Sequence, residues 1–334
     1  MIGAMLSRRR FLGALSASLL APPPAAQAQP PGKVGRVGFL YFGSRHTGVG
    51  ATRYAAFLEG MRELGYVEGK NVIVEARFAE SQPERLADLV AELLRLKVDV
   101  IVATGGPAYR VLQRTTAAPP VVVTVTNDPV GDGLAASLAR PGGNFTGLTD
   151  TAGDLTLKQL ELLKVVSPKL SRVSVLTNRT NASHARQATQ LTLTSQKLGI
   201  QVTLGEASTA AQIEPTMASF ALERADVVVL FGDAFFSQQL RQIAGSALKH
   251  RLPSVYIIRD YAEAGGLMSY GAPLTDNFRR AATFVDKILK GAHPGDVPFE
   301  QPTRYVLAIN LKTARALGLT IPPSFLARAD QIIE

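Results

Sequence analysis

At 334 residues the chain is long enough for two domains of ordinary size, and its 46% hydrophobic and 19% charged residues describe a globular protein with ample core. The absence of cysteine excludes disulfides, thiolate catalysis, iron–sulfur clusters and a lipid-bearing cysteine. The formal charge is +9, and about +6 without Arg8, Arg9 and Arg10, but basic and acidic residues are interspersed and no basic helix or aromatic-interleaved basic strand is present, so no nucleic-acid partner is expected.

The chain opens with Ser7-Arg8-Arg9-Arg10-Phe11-Leu12, a modest apolar run to Ala21, Pro22 to Pro24, and Ala26-Gln27-Ala28. A positive start, a short apolar stretch and small residues at the end predict a cleavable secretory signal over residues 1–28. The arginine pair before Phe-Leu matches the twin-arginine type. The apolar run is shorter than the ~20 residues a bilayer-spanning helix needs. Export to the periplasm without a lipid anchor is expected.

Arg36 to Tyr41 reads as the first strand. A loop from Phe42 to Gly50 leads into a helix ending near Leu64, with Gly65 just past its end. Asn71 to Phe78 is a strand. Ser81, Pro83 and Glu84 have the order of a helix start, with Ser81 as the cap, for a helix running to about Leu96. Val98 to Ala103 is apolar without alternation, which predicts a strand buried on both faces of a parallel sheet. Thr104-Gly105-Gly106-Pro107 forms a tight loop into a helix from Ala108 to about Thr116. Val121 to Val125 is a further buried strand, ending in Thr126-Asn127-Asp128-Pro129.

The second half repeats this grammar. Arg172 to Thr177 is a strand, a helix runs to Leu198 with Gly199 beyond it, and Ile200 to Leu204 is a strand. A helix from Ala210 to Glu223 follows. Asp226 to Val229 matches Asp99 to Val102, Leu252 to Val255 matches Pro119 to Val122, and Gly265-Gly266 matches Gly142-Gly143. Two similar lobes are implied, each wound with right-handed crossovers. Asn144 to Thr149 and Leu267 to Gly271 are the expected crossings between them. A helix from Asp276 to Lys290 is apolar along one side, and the extended Arg304 to Ile309 precedes a short helix near Leu311 to Leu317. The expected fold is α/β: two doubly wound parallel-sheet lobes joined by hinge strands. Lobe one spans 34–146 plus 270–303, and lobe two 147–269 plus 304–334.

No catalytic constellation emerges. None of the four histidines pairs with another at metal-ligand spacing, and no Gly-x-Ser-x-Gly elbow or phosphate-binding glycine motif follows a strand. His184 either contacts a ligand or is a solvated residue at a helix start. No metal, cofactor or catalytic residue is expected. Ligands of open parallel sheets bind beyond the carboxyl ends of the strands. The loops at those ends hold the candidate site residues: Ser44, Thr104, Gly105, Gly106, Asn127 and Asp128 in lobe one, and Asn178, Asn181, Asp233 and Tyr270 in lobe two. Hydroxyls, amides and the N–H groups of Thr104 to Gly106 suit a ligand carboxylate. Asp128 or Asp233 suits a ligand ammonium. Tyr41, Phe42, Tyr109, Phe235, Phe236 and Tyr270 are candidates for an apolar wall.

Several stretches carry a resemblance. Asp128-Pro129-Val130-Gly131, Ala139 to Asn144, Gly265 to Gly271, Ile288 to Gly291, Asn310 to Ala314, and the tail from Leu317 through Pro322-Pro323 to Asp330 resemble the ABC-transporter substrate-binding proteins of the tryptophan/tyrosine-binding type. The likeness covers nearly all of the chain after the signal. It implies a type I periplasmic-binding fold and delivery of a small ligand to an inner-membrane permease. The family's site loops fall on Thr104-Gly105, Asp128 and Asn178. Arg179 stands where proline is usual, and Gly106 where a hydroxyl is usual. The expected protein is a monomeric receptor that closes on a small carboxylate-bearing molecule, with amino acids, including aromatic ones, among the candidates. The rival readings are a ligand-sensing module for a membrane receptor and a secreted α/β enzyme.

Overall fold

The computed structural model describes residues 34–150 and 152–334, with the side chains of 152–154 left aside. The expected signal over 1–28 lies outside the described residues. Among those described, no helix is long and apolar enough to cross a membrane.

The first lobe runs β1 (Gly35–Tyr41), α1 (Gly48–Glu63), β2 (Val72–Phe78), α2 (Leu86–Arg95), β3 (Val100–Thr104), α3 (Gly106–Arg114), β4 (Val121–Val123) and β5 (Phe145–Gly147). Its sheet is parallel throughout in the order β2-β1-β3-β4-β5. The second lobe continues with α4 (Ala152–Val166), β6 (Arg172–Thr177), α5 (Ala182–Lys197), β7 (Gln201–Glu206), α6 (Ala210–Leu222), β8 (Val227–Leu230), α7 (Ala234–Gln238), α8 (Leu240–Lys249), β9 (Ser254–Tyr256), α9 (Arg259–Glu263) and β10 (Met268–Gly271). After these come α10 (Leu274–Leu289), β11 (Val306–Asn310), α11 (Leu311–Leu317), α12 (Pro323–Leu326) and β12 (Gln331–Ile333). The second sheet is ordered β12-β11-β10-β9-β8-β6-β7. Its part β7-β6-β8-β9-β10 reproduces the first sheet strand for strand, so the repeat read in the sequence is a repeat of topology.

Every residue of β3 and β8 is buried, as unalternating apolar runs require. Leu86, Leu93, Tyr109 and Leu112 from α2 and α3 cover one face of the first sheet. Phe57 and Met61 of α1 and Phe278, Phe284 and Val285 of α10 cover the other. Each such side chain, fully buried, contributes about 1.5–3 kcal/mol. Helix α10 follows the second sheet in sequence but packs on α1, so the chain returns to the first lobe. That packing is close: a Cβ on Gly60 would lie 2.3 Å from the Arg279 carbonyl oxygen.

The chain crosses between lobes three times, at about 148–150, 272–273 and 297–305. The first and third crossings pair, with Thr149 N–H donating to the Glu300 carbonyl and Glu300 N–H to that of Gly147. The expected crossings Asn144–Thr149 and Leu267–Gly271 are mostly sheet strands, β5 and β10, with the true crossings just beyond. Gly147 therefore pairs in the first sheet and Tyr270 and Gly271 in the second, which moves the expected lobe edges by one residue and two. Ser81 does not cap a helix. Its φ is +61° and its N–H donates to the Phe42 carbonyl, which ties the end of β2 to the loop after β1; a 3-10 turn at Pro83–Arg85 then leads into α2. Helix α4 and strand β12 had no counterpart among the expected elements.

Candidate ligand-binding site

The carboxyl ends of the strands of both sheets face one cleft. Tyr41 ends β1, Thr104 ends β3, and Val125 to Asn127 follow β4. From the other lobe come Asn181 after β6, Gly232 and Asp233 after β8, and Ile257 and Ile258 after β9. The lobes enclose a cavity of about 80 Å³ between these strand ends, well below the roughly 300–1,000 Å³ of small-molecule pockets, so the cleft stands nearly shut.

Six of the ten expected residues line this cleft: Thr104, Gly105, Gly106, Asn127, Asn181 and Asp233. The Thr104 hydroxyl is bonded to that of Thr124 at 2.8 Å. Gly105 has φ +98°, and a Cβ there would meet Ala234 of the other lobe at 3.1 Å and Phe42 at 3.2 Å. Glycine is thus set both by backbone angle and by the approach of the second lobe. Asn181 caps α5 through Ser183 N–H and donates to Asp233 Oδ2 at 2.9 Å. Asp233 caps α7 by accepting from Phe235 and Phe236 N–H and takes the Asn178 amide as well. Both Asp233 oxygens thus take part in holding the cleft wall together.

The other four lie off the cleft. Ser44 Oγ accepts from His46 N–H in a local turn. Asp128 accepts from Gly131 N–H at 2.8 Å and pairs with Arg186 at 3.3 Å on the outer surface. Asn178 is buried, holding Thr180 and Ser208 on its carbonyl and Asp233 on its amide. Tyr270 stacks on Tyr305 beside the hinge. His184 is neither ligand contact nor solvated. It is buried, its Nδ1 accepts from Asn178 N–H at 2.8 Å, and its Nε2–H then donates to the Gly232 carbonyl at 3.1 Å. Burial pushes its pKa down, which favours this neutral form. Of the expected aromatic wall, Tyr41, Phe42 and Tyr109 line the cleft, whereas Phe236 is core.

Three charged cleft residues escaped the sequence reading, Arg53 on α1, Asp132 in the loop after β4 and Asp150 on the first crossing. Arg53 falls in the middle of a helix, where a lone arginine reads as a solvated face. Asp150 follows the stretch expected to cross between lobes, and that position was its one available signal.

The lobes touch across the cleft. The Asn127 amide donates to the Gly232 carbonyl at 3.2 Å, and Arg110 Nη2 to the Thr180 carbonyl at 2.9 Å. Arg186 of α5 grips Asp128 and Asp132 of the first lobe. These bonds exist only with the lobes shut. Arg186→Gln is therefore expected to shift the ligand-free protein toward an open form by about 1 kcal/mol, or about fivefold, since these side chains are partly solvated. X-ray scattering should report a larger radius of gyration for the variant; an unchanged profile would show that the pair contributes nothing to closure.

Residues 45–333 match the family model described as ABC transporter substrate binding protein. The chain belongs to this family. Its fold is the type I periplasmic-binding fold. The curated tyrosine-binding protein of Clostridioides difficile (strain R20291) is 24% identical over 264 residues, 79% of this chain and 75% of that protein. A conserved domain protein from Vibrio cholerae superposes with a TM-score of 0.83 at 28% identity, covering 90% of this chain and all of that one. The ABC domain from Streptococcus pneumonia in complex with L-Trp superposes with a TM-score of 0.82 at 25% identity, covering 90% and 99%. This substrate-binding protein thus belongs with solute carriers rather than enzymes, and its family implies a small-molecule ligand and a membrane permease as partners.

Proposed function

We propose that this protein is the exported receptor of an ABC importer. It captures a small carboxylate-bearing molecule between its lobes, with amino acids, aromatic ones included, as the candidates, and delivers it to an inner-membrane permease. The observation that carries the reading is the cleft itself: strand ends of two repeated sheets face one another across it, and hydrogen bonds join the two walls. An open form admits the ligand, and closure follows because the ligand binds the shut state better. Tyr41, Phe42 and Tyr109 give one wall an aromatic lining. The amino-acid reading is supported by the relatives, one a tyrosine-binding protein and one bound to L-Trp. Thr104, Gly105, Gly106, Asn127, Asn181 and Asp233 form the polar part of the site, the last two as positioning residues. The twin-arginine stretch supports a periplasmic location for this function.

A thermal-shift screen of residues 29–334, unfolded and refolded to strip any carried molecule, tests the reading. The panel holds amino acids, aromatic acids, dicarboxylates, nucleosides and short peptides. A compound at 100 times its dissociation constant should stabilise the fold by about 2.7 kcal/mol. A saturable shift with chemically unaltered compound is expected. Turnover of the compound would replace the receptor reading with an enzymatic one.

A further inference from the structure

Among the described residues, Arg53 and Asp150 are the arginine and the carboxylate that lie buried, at 5% and 4% exposure. Burial of a charge costs several kcal/mol unless it is paired and hydrogen-bonded. Asp150 does not meet that condition, and Arg53 meets it only in part. Arg53 Nη1 donates to the Tyr41 hydroxyl at 2.9 Å, but Nη2 has no hydrogen-bond partner, and its nearest carboxylate oxygen, on Asp260, stands 3.9 Å away. Asp150 Oδ1 is buried without a partner, while the backbone N–H of Asp150 is held by the Thr126 carbonyl. The two side chains form no ion pair with each other, yet both line the same cleft. The other carboxylates near the cleft are engaged. Asp233 caps α7, and Asp132 pairs with Arg186 and receives the Thr126 hydroxyl.

We infer that Arg53 and Asp150 read the two charges of a zwitterion, Arg53 taking the carboxylate and Asp150 the ammonium of a free amino acid. The inference rests on the cleft being the ligand site. A guanidinium with an unused N–H and a carboxylate with an unused oxygen are the complements of those two groups, through charge-assisted hydrogen bonds. Hydroxyls and amides would hold a neutral molecule of the same shape without any buried charge. Arg53 comes from α1 of the first lobe and Asp150 from the hinge, so the zwitterion sits where closure is controlled. Selectivity follows from what a wrong ligand leaves behind. An acid without an amine leaves Asp150 unpaired; an amine without an acid leaves Arg53 unpaired. A site with buried polar groups rejects such analogues far more strongly than a missing methylene would be rejected. Asp150 is pushed up to about 7 by burial, so the arriving ammonium stabilises a charge the empty pocket disfavours.

The test uses refolded protein and calorimetric titration with the twenty protein L-amino acids. The tightest of these is then compared with its N-acetyl derivative, its decarboxylated amine and its deaminated acid. Each analogue is expected to bind at least about a hundredfold more weakly. Asp150→Asn, which keeps the side-chain shape, is expected to lose at least about tenfold in amino-acid affinity while keeping that for the deaminated acid. Should Arg53→Gln not fold, Arg53→Lys and the analogue comparison on unaltered protein still decide the point. Equal binding of the deaminated acid and the amino acid, or full amino-acid affinity in Asp150→Asn, overturns the inference and leaves the cleft reading standing. If no amino acid binds folded protein, the inference falls; if the wider panel is also silent, the cleft reading falls with it.

Discussion

At pH 8 the ligand-free Asp150→Asn protein is expected to be more stable than the unaltered one, by up to about 4 kcal/mol, and the gain is expected to shrink to almost nothing by pH 4. The unfolded chain ionises this carboxyl near its ordinary 3.8, whereas the folded protein holds the proton until about 7. Burial is the cause. Between those two pH values the native state carries the extra proton, so stability falls as pH rises. Above pH 7 the full cost stands, about 4 kcal/mol at 1.36 kcal/mol per pH unit. Asparagine cannot ionise and so escapes it. For a domain of this size the difference amounts to a rise in melting temperature of about 5–10 °C. Arg53, Asp132 and Asp233 share the cleft wall and are unchanged in the variant, so the pH dependence of the difference isolates Asp150. A variant less stable than its parent at every pH would mean that the carboxylate is already ionised and bonded in the empty protein.

A residue that weakens the fold at the pH where it is charged is a residue kept for something other than the fold. The same group that costs stability when the cleft is empty gains a counter-charge when an ammonium enters. Binding and stability are then opposite faces of one buried carboxylate, and the Asn variant should show both together: a firmer empty protein and a weaker grip on amino acids.

The architecture was legible because it is written in period and repetition. Val100 to Ala103 and Val227 to Leu230 are apolar without alternation, the pattern of strands in a sheet covered on both faces. The matched pairs Asp99 with Asp226 and Gly65 with Gly199 mark equivalent strand starts and helix ends, and the second sheet repeats the order of the first. The site was legible only to the level of the loop. Thr126-Asn127-Asp128 was placed correctly at a strand end, yet Asn127 points into the cleft while Asp128 turns outward to Gly131 and Arg186. Which of two adjacent polar residues faces a ligand depends on turn geometry that neither residue announces. Asn178 shows the same limit, since its amide and carbonyl are consumed in holding neighbouring loops. Arg53 and Asp150 were invisible for a different reason. Each is distinguished only by burial with one polar atom left unbonded in three dimensions, and sequence records neighbours along the chain.

Gly147→Ala is expected to destabilise the protein by about 3 kcal/mol or more. Gly147 closes β5 where the chain leaves the first lobe, and its φ of +140° lies where L side chains are strained, at about 1–3 kcal/mol. A Cβ there would also stand 2.1 Å from the Val123 carbonyl oxygen and 2.6 Å from the Val123 nitrogen. Both are backbone atoms, so no rotamer change relieves the contact. Retreat is blocked as well: β4 is held between β3 and β5, and the Gly147 carbonyl accepts from Glu300 N–H on the third crossing. The overlap adds about 1–3 kcal/mol to the strain. Gly245→Ala in α8 is the matched control, because a Cβ there meets nothing within 4 Å and φ is helical. Alanine in that helix interior should stabilise by about 0.5–1 kcal/mol. Urea unfolding of the two variants should therefore move their midpoints in opposite directions. Equal stability of Gly147→Ala and its parent would mean that β5 can slide away from β4 at no cost, and that the first crossing is a loose tether rather than a strand fixed in register with the sheet it leaves.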